Sequence, residues 1–335
     1  MAVSYSDVLL NNTSLADAGS GVTAVFVGAT AGIGLGALRS LTHHTTAPTI
    51  YIVGRSRKSL DSLMASLQML NSGATFHAVV AKDLTLVADA EKAAAEIIRL
   101  ASRVDLLIMS PGYIDFSHQV SPEGIDRLIA IRYYSRMRFL VSLAPLLRKS
   151  PSPRVVSVLA AGMEGKLFPD DLLLEKNFSA MNAAAAATTM TTLFLEEFSK
   201  QEGNDRLVCC HLYPGWVGDT GMRVGNGFSA WLRVVLEWVV APMMRWVGYT
   251  SEEAGERVVF AATNGRFRRL KEGVSGEGTM VQKGVDGRIG GGVYLVQDNS
   301  SAKTQNEALR QAREDGMAKR VFDHTMAQFD EINKG

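Results

Sequence analysis

Between residues 22 and 36 the chain reads VTAVFVGATAGIGLG, an apolar run that passes straight into a turn holding Gly28, Gly32 and Gly34. Glycines so placed let the backbone approach a pyrophosphate, which the amino terminus of the following helix stabilises through unpaired N–H groups and its dipole. A glycine pattern alone is weak evidence; its position between a strand and a helix strengthens it. A second feature stands at the end of the next apolar run, Val53-Gly54-Arg55-Ser56-Arg57. An acidic side chain there would accept hydrogen bonds from a ribose 2′-hydroxyl. None is present, and the planar donors of Arg55 suit a 2′-phosphate instead. Six scattered histidines and the neighbours Cys209 and Cys210 show no metal-ligand spacing.

These groups need a scaffold, and the hydrophobic pattern supplies one. Val22–Gly28, Thr49–Val53, Thr75–Val80, Asp105–Met109, Arg154–Leu159 and Leu207–Leu212 are short, nearly continuous apolar runs. Such runs fit strands of a parallel sheet covered on both faces. Gly34–Leu41, Lys58–Leu70, Val87–Ala101, Ile125–Leu147 and Ala180–Gln201 lie between them with helical spacing. This alternation predicts a doubly wound α/β sheet that binds ligands at the carboxyl ends of its strands. After Gly215 the alternation stops. Ser229–Val247 reads as a greasy helix, Ser251–Thr263 as another, 271–292 as a loop or hairpin, Val293–Gln297 as a last strand and Asn306–Asn333 as one charged helix.

Composition narrows the partners. The 335 residues hold 35 Lys+Arg against 34 Asp+Glu, a formal charge of +1. That balance removes the electrostatic case for nucleic acid. The start, MAVSYSDVLLNNTSL, has no basic region leading into an apolar core, so no signal peptide is expected. Phe228 to Tyr249 is greasy but interrupted by Arg233, Glu237, Pro242 and Arg245, which makes it a poor spanning helix. As neighbours on a strand, Cys209 and Cys210 should face opposite sides and not pair, which suits a reducing, cytoplasmic setting.

With these residues in view, the chain resembles the short-chain dehydrogenase/reductase (SDR) superfamily over about residues 20–265. The resemblance rests on Gly28-Ala29-Thr30-Ala31-Gly32-Ile33-Gly34, Asp83-Leu84, Ser110-Pro111-Gly112 in the place of Asn-Ala-Gly, and Pro214-Gly215 with Val217 and Thr220. It implies a Rossmann-type three-layer α/β/α fold in one domain spanning 1–335, with a C-terminal hairpin and helix extension over 266–335. It also implies that Thr30, Ile33 and the glycines hold a dinucleotide. Asp83 and Leu84 would hold its adenine, and Ser110–Gly112 and Pro214–Thr220 would flank the nicotinamide. Together with Arg55 this points to NADP(H).

SDR reductases use an Asn-Ser-Tyr-Lys tetrad, and its positions fall here on Arg132, Ala160, Phe178 and Asn182. No tyrosine occurs between Tyr134 and Tyr213 and no lysine between Lys176 and Lys200, so Tyr-x-x-x-Lys is absent however that segment is aligned. Carbonyl reduction through a tyrosine acid is therefore not expected. Arg132 could bind a carbonyl or enolate oxygen. Asp170 in the long loop, Tyr113 after Ser110–Gly112, Tyr133 or Tyr134 beside Arg132, and His118 are candidate acids; His211 on strand six reads as a core histidine. The closest resemblance is to divergent fungal SDR proteins of natural-product pathways, carried by Arg132-Tyr133-Tyr134-Ser135-Arg136 and Pro214-Gly215-Trp216-Val217. Expected, then, is an enzyme acting on a small hydrophobic intermediate by isomerisation, cyclisation or another proton transfer. NADPH-dependent reduction of an iminium, conjugated alkene or carbonyl is the alternative, and a non-catalytic cofactor-binding subunit the third. Residues 228–247 would wall the substrate; peripheral membrane contact and a homo-oligomer interface are their other uses.

Overall fold

A computed structural model describes residues 2–17, 19, 21–113, 115–219, 248–271, 274, 278 and 280–334. Eight strands form one sheet in the order β3-β2-β1-β4-β5-β6-β7-β8. They are β1 (Thr23–Val27), β2 (Thr49–Gly54), β3 (Thr75–Val80), β4 (Leu106–Met109), β5 (Arg154–Val158), β6 (Val208–Leu212), β7 (Val293–Val296) and β8 (Ala302–Lys303). All pairs are parallel except β7 with β8. The strand order reverses between β1 and β4, the kind of switch point at which open α/β sheets take ligands beyond the strand carboxyl ends.

Helices cover both faces, which is why β4, β5 and β6 are buried along their whole length. Along the chain they are α1 (Tyr5–Thr13), α2 (Gly32–His44), α3 (Arg57–Leu70), α4 (Val87–Leu100), α5 (Arg127–Ile129), α6 (Ser135–Leu147), α7 (Ala180–Ser199), α8 (Ser251–Thr263), α9 (Glu307–Glu314) and α10 (Met317–Ile332). Cys209 packs into the core on one side of the sheet and Cys210 into that on the other, as strand alternation requires. Side-chain oxygens start several helices where the sequence places them: Ser56 accepts from Ser59 N, Ser179 from Asn182 N and Thr250 from Glu253 N. Helices α2 and α8 cross with their backbones touching at Gly36 and Gly255, where a Cβ on either would meet the other's main chain.

The strand expectations hold to within a residue or two at their ends, and α8 matches its expected bounds. The segment read as one helix, Asn306–Asn333, is instead α9 and α10, broken at Gly316, whose φ of 69° cannot continue a right-handed helix. Helix α1 and strand β8 were not legible, being a short polar helix and a two-residue edge. The 271–292 segment makes hairpin-like bridges, Arg269 with Gly291 and Lys283 with Ile289. Expectations for 228–247 and Thr220 lie outside the described residues. Among those described, no helix is long and apolar enough to cross a membrane, and no group of His, Cys, Asp or Glu could hold a metal ion.

Candidate active site

The glycine turn is built by close packing. Gly28 has φ 83°, and a Cβ there would stand 2.6 Å from the Pro111 nitrogen. Only glycine therefore lets the turn after β1 lie against the turn after β4. Ser110 fastens the two, its N–H donating to Val27 O (2.9 Å) and its Oγ to Gly28 O (3.1 Å). Helix α2 starts at Gly32 with no side-chain cap from Ala31, so its first N–H groups face the crevice without a side-chain acceptor. Thr30 leans on the end of β2: a Cβ at Gly54 would be 3.1 Å from its Cγ2. Arg55, next along, is exposed and has no ion-pair partner among the described residues. The uncapped start of α2 beside this glycine turn fits the pyrophosphate of a dinucleotide.

Further along the crevice, Asp83 accepts from Thr85 N (2.9 Å) and Thr85 Oγ1 (2.7 Å), and lies 3.7 Å from Arg127 Nη1. Leu84 is buried, and its carbonyl accepts from Ser135 Oγ at 2.7 Å, tying α6 to the β3 loop. After β6, Gly215 (φ 76°) turns the chain so that Val217 bridges to Tyr249 and Tyr249 N donates to Trp216 O (2.8 Å).

Arg132 sits in a π-helical turn, Ala130–Tyr134, between α5 and α6. Such wide turns recur at functional sites because they interrupt the regular ladder. Its Nη2 donates to Tyr113 O at 2.7 Å. Burial pushes its pKa down, with Tyr113 and Asp126 opposing. The Tyr113 phenol is pushed up by burial and then by Asp115 and Asp126, which disfavours the phenolate. Phe178 stacks on His118, and Asn182 Nδ2 donates to Asn177 O (2.7 Å) at the head of α7. The structure thus brings Arg132 to Tyr113, and His118 to Phe178. Asp170 is not part of this group: its side chain is 95% exposed and pairs with Arg320 of α10 at 2.7 Å. Nor are Tyr133 and Tyr134, fully buried and bonded to Thr325 and His324 of α10.

Two buried polar arrangements escaped sequence reading. Arg136, fully buried, lies under the strand ends, its Nη1 donating to Val158 O (2.7 Å) and Ser157 Oγ (3.0 Å) and its Nη2 to Pro111 O (2.5 Å). No carboxylate among the described residues accepts from it, and burial lowers its pKa to about 9. The signal was present: Arg136 follows Arg132 by four residues, hence on the same helix face. The second arrangement is a relay behind Ala160, whose N–H donates to His211 Nε2 at 3.4 Å. His211 Nδ1 is 2.8 Å from Thr192 Oγ1, which donates to Glu164 Oε1 at 2.9 Å. One proton per link fixes the imidazole as neutral and Nδ1-protonated. Burial and then Arg136 push its pKa down to about 3. His211 is thus the satisfied core histidine expected from strand six.

With fold and site described, comparison with known proteins is direct. Residues 22–168 match the family model described as short chain dehydrogenase. The chain is 35% identical over 315 residues to an oxidoreductase of Emericella nidulans, covering 92% of this chain and 93% of that protein. It is 29% identical over 337 residues to a short-chain dehydrogenase/reductase of Stachybotrys chartarum, covering 94% of each. Among solved structures, a dehydrogenase/reductase from Sinorhizobium meliloti is similar in fold, with TM-score 0.53 and 17% identity over 76% of this chain and 92% of that one. The chain belongs to the short-chain dehydrogenase/reductase family.

Proposed function

We propose that the chain is an SDR-fold enzyme that holds NADP(H) and acts on a small hydrophobic intermediate of natural-product biosynthesis by proton transfer, as in isomerisation or cyclisation. One observation supports this reading: the glycine turn after β1 is kept while no tyrosine occurs between Tyr134 and Tyr213 and no lysine between Lys176 and Lys200, so that Phe178 and Asn182, the best match to the Tyr-x-x-x-Lys motif, offer neither phenol nor ammonium. Gly28, Thr30, Gly32, Ile33 and Gly34 would take the pyrophosphate, Arg55 the 2′-phosphate, and Asp83 with Leu84 the adenosine. The bound nucleotide would bring hydride chemistry to the crevice. Arg132, desolvated and with Nη1 and Nε unbonded among the described residues, would bind an enolate or carbonyl oxygen.

A second reading, NADPH-dependent reduction of an iminium, conjugated alkene or carbonyl, is favoured by the oxidoreductase names of relatives that cover over nine-tenths of this chain. The two part on one experiment. The metabolite accumulating in a strain deleted for the gene is supplied to the purified protein with NADPH deuterated at C4. Product without deuterium is expected. Deuterium in the product would overturn the proton-transfer reading and establish the reductase.

A further inference from the structure

The loop after β4 carries a group that no tetrad position includes. The His118 imidazole lies flat on the Phe178 ring, centroids 4.2 Å apart and planes 12° from parallel. An imidazole therefore stands at the ring that occupies the tyrosine position but lacks its hydroxyl. His118 Nε2 is 4.0 Å from Asp126 Oδ2, an ion-pair distance that a protonated ring would satisfy. Asp126 is rigidly held: its side chain is 1% exposed and accepts the N–H groups of Gln119 (3.0 Å), Leu128 (2.9 Å) and Ile129 (3.4 Å). The bonds from Leu128 and Ile129 cap α5, the turn that leads directly into the π segment bearing Arg132. The imidazole itself is 37% exposed, and its Nδ1 has no hydrogen-bond partner among the described residues. Met163 after β5, Met181 in the first turn of α7 and Trp216 after β6 are all exposed.

We propose that His118, set by Asp126 against Phe178, is a catalytic residue of this site, the proton carrier where the fold ordinarily uses a phenol. The proposal rests on the proton-transfer reading given above. The neutral imidazole takes a proton from the carbon beside a substrate carbonyl. The C–H electron pair becomes the new C=C bond, and the carbonyl π pair moves onto oxygen, where Arg132 binds the enolate. The imidazolium, paired with Asp126, then returns its proton to a carbon of the conjugated system, restoring the neutral ring. No oxidant, reductant or net proton is consumed. Histidine suits this role because the neutral imidazole has one lone pair that accepts a proton and its conjugate acid has an N–H that returns it.

The test uses the full chain and β-tetralone, a hydrophobic enolisable ketone, with exchange of its α-protons in D2O followed by NMR. The unaltered chain is expected to accelerate exchange above buffer. His118→Phe, which retains a ring to stack on Phe178, is expected to lower the enzymatic rate about 100-fold or more, with its melting temperature kept. His118→Gln provides the same reading should the phenylalanine variant fail to fold. Exchange by a folded variant at the unaltered rate would overturn the role of His118 and leave the proton-transfer reading standing. No acceleration by the unaltered chain would overturn both.

Discussion

Acid should act on this protein through His211, and the geometry sets the size of the effect. The imidazole is fully buried, receives Ala160 N–H on Nε2, and directs Nδ1 to Thr192, which in turn serves Glu164. A second proton would have to sit on Nε2, against the Ala160 N–H. Burial and Arg136 accordingly hold the pKa at about 3 in the folded chain against an ordinary 6.5. A folded pKa below the unfolded one means that the unfolded chain binds the extra proton between those limits. The stabilisation is thus complete above the unfolded pKa and is lost as pH falls towards 3. Each pH unit inside the window removes about 1.4 kcal/mol, so acidification by two units below the ordinary value should cost roughly 2–3 kcal/mol. Urea unfolding of the unaltered chain and of His211→Gln, across pH 7.5 to about 4.5, isolates this residue because both chains share every carboxylate. The glutamine variant is expected to start lower, by about 1–3 kcal/mol for its imperfect bonds, but to lose stability more slowly with acid. Parallel profiles would refute the reasoning.

Two other outcomes follow from the nucleotide turn. Gly28→Ala places a Cβ 2.6 Å from the Pro111 nitrogen at a φ of 83°, which should cost about 2–4 kcal/mol in thermal unfolding and abolish the NADPH fluorescence response at sub-millimolar nucleotide. Arg55→Ser removes a guanidinium at the β2 end that has no ion-pair partner among the described residues and should weaken NADPH about 10- to 100-fold while leaving NADH binding unchanged, measured by fluorescence titration; equal loss for both nucleotides would contradict the 2′-phosphate assignment.

Much of the scaffold was legible because strands buried on both faces are written as continuous apolar runs, and amphipathic helices as a 3.6-residue rhythm. Ser251–Thr263 was readable to the residue for that reason, and so was Thr75–Val80, although this strand lies at the sheet edge and buries only Val79. The dinucleotide turn was readable too, since only glycine suits both the positive φ and the close approach at Gly28. Where one residue decided against the local rhythm, as Gly316 does between α9 and α10, the rhythm alone misled. Asp170 shows the same limit at the site: an acid in a suggestive loop, it turned out to meet Arg320 of a helix 150 residues away.

The order of residues by itself determined the doubly wound sheet, the glycine turn after β1, and the absence of any tyrosine between Tyr134 and Tyr213 and of any lysine between Lys176 and Lys200. Each of these is a property of contiguous residues, so spacing and composition suffice to state it. Only the tertiary structure decided which polar groups share a site. It laid His118 on Phe178, held His118 with Asp126, and placed Arg136 beneath Pro111 and Val158. It also strung Glu164, Thr192 and His211 into one relay. Periodicity reports that a position is buried or exposed. It carries no information on which distant segment will meet it there, and chemistry depends on that meeting.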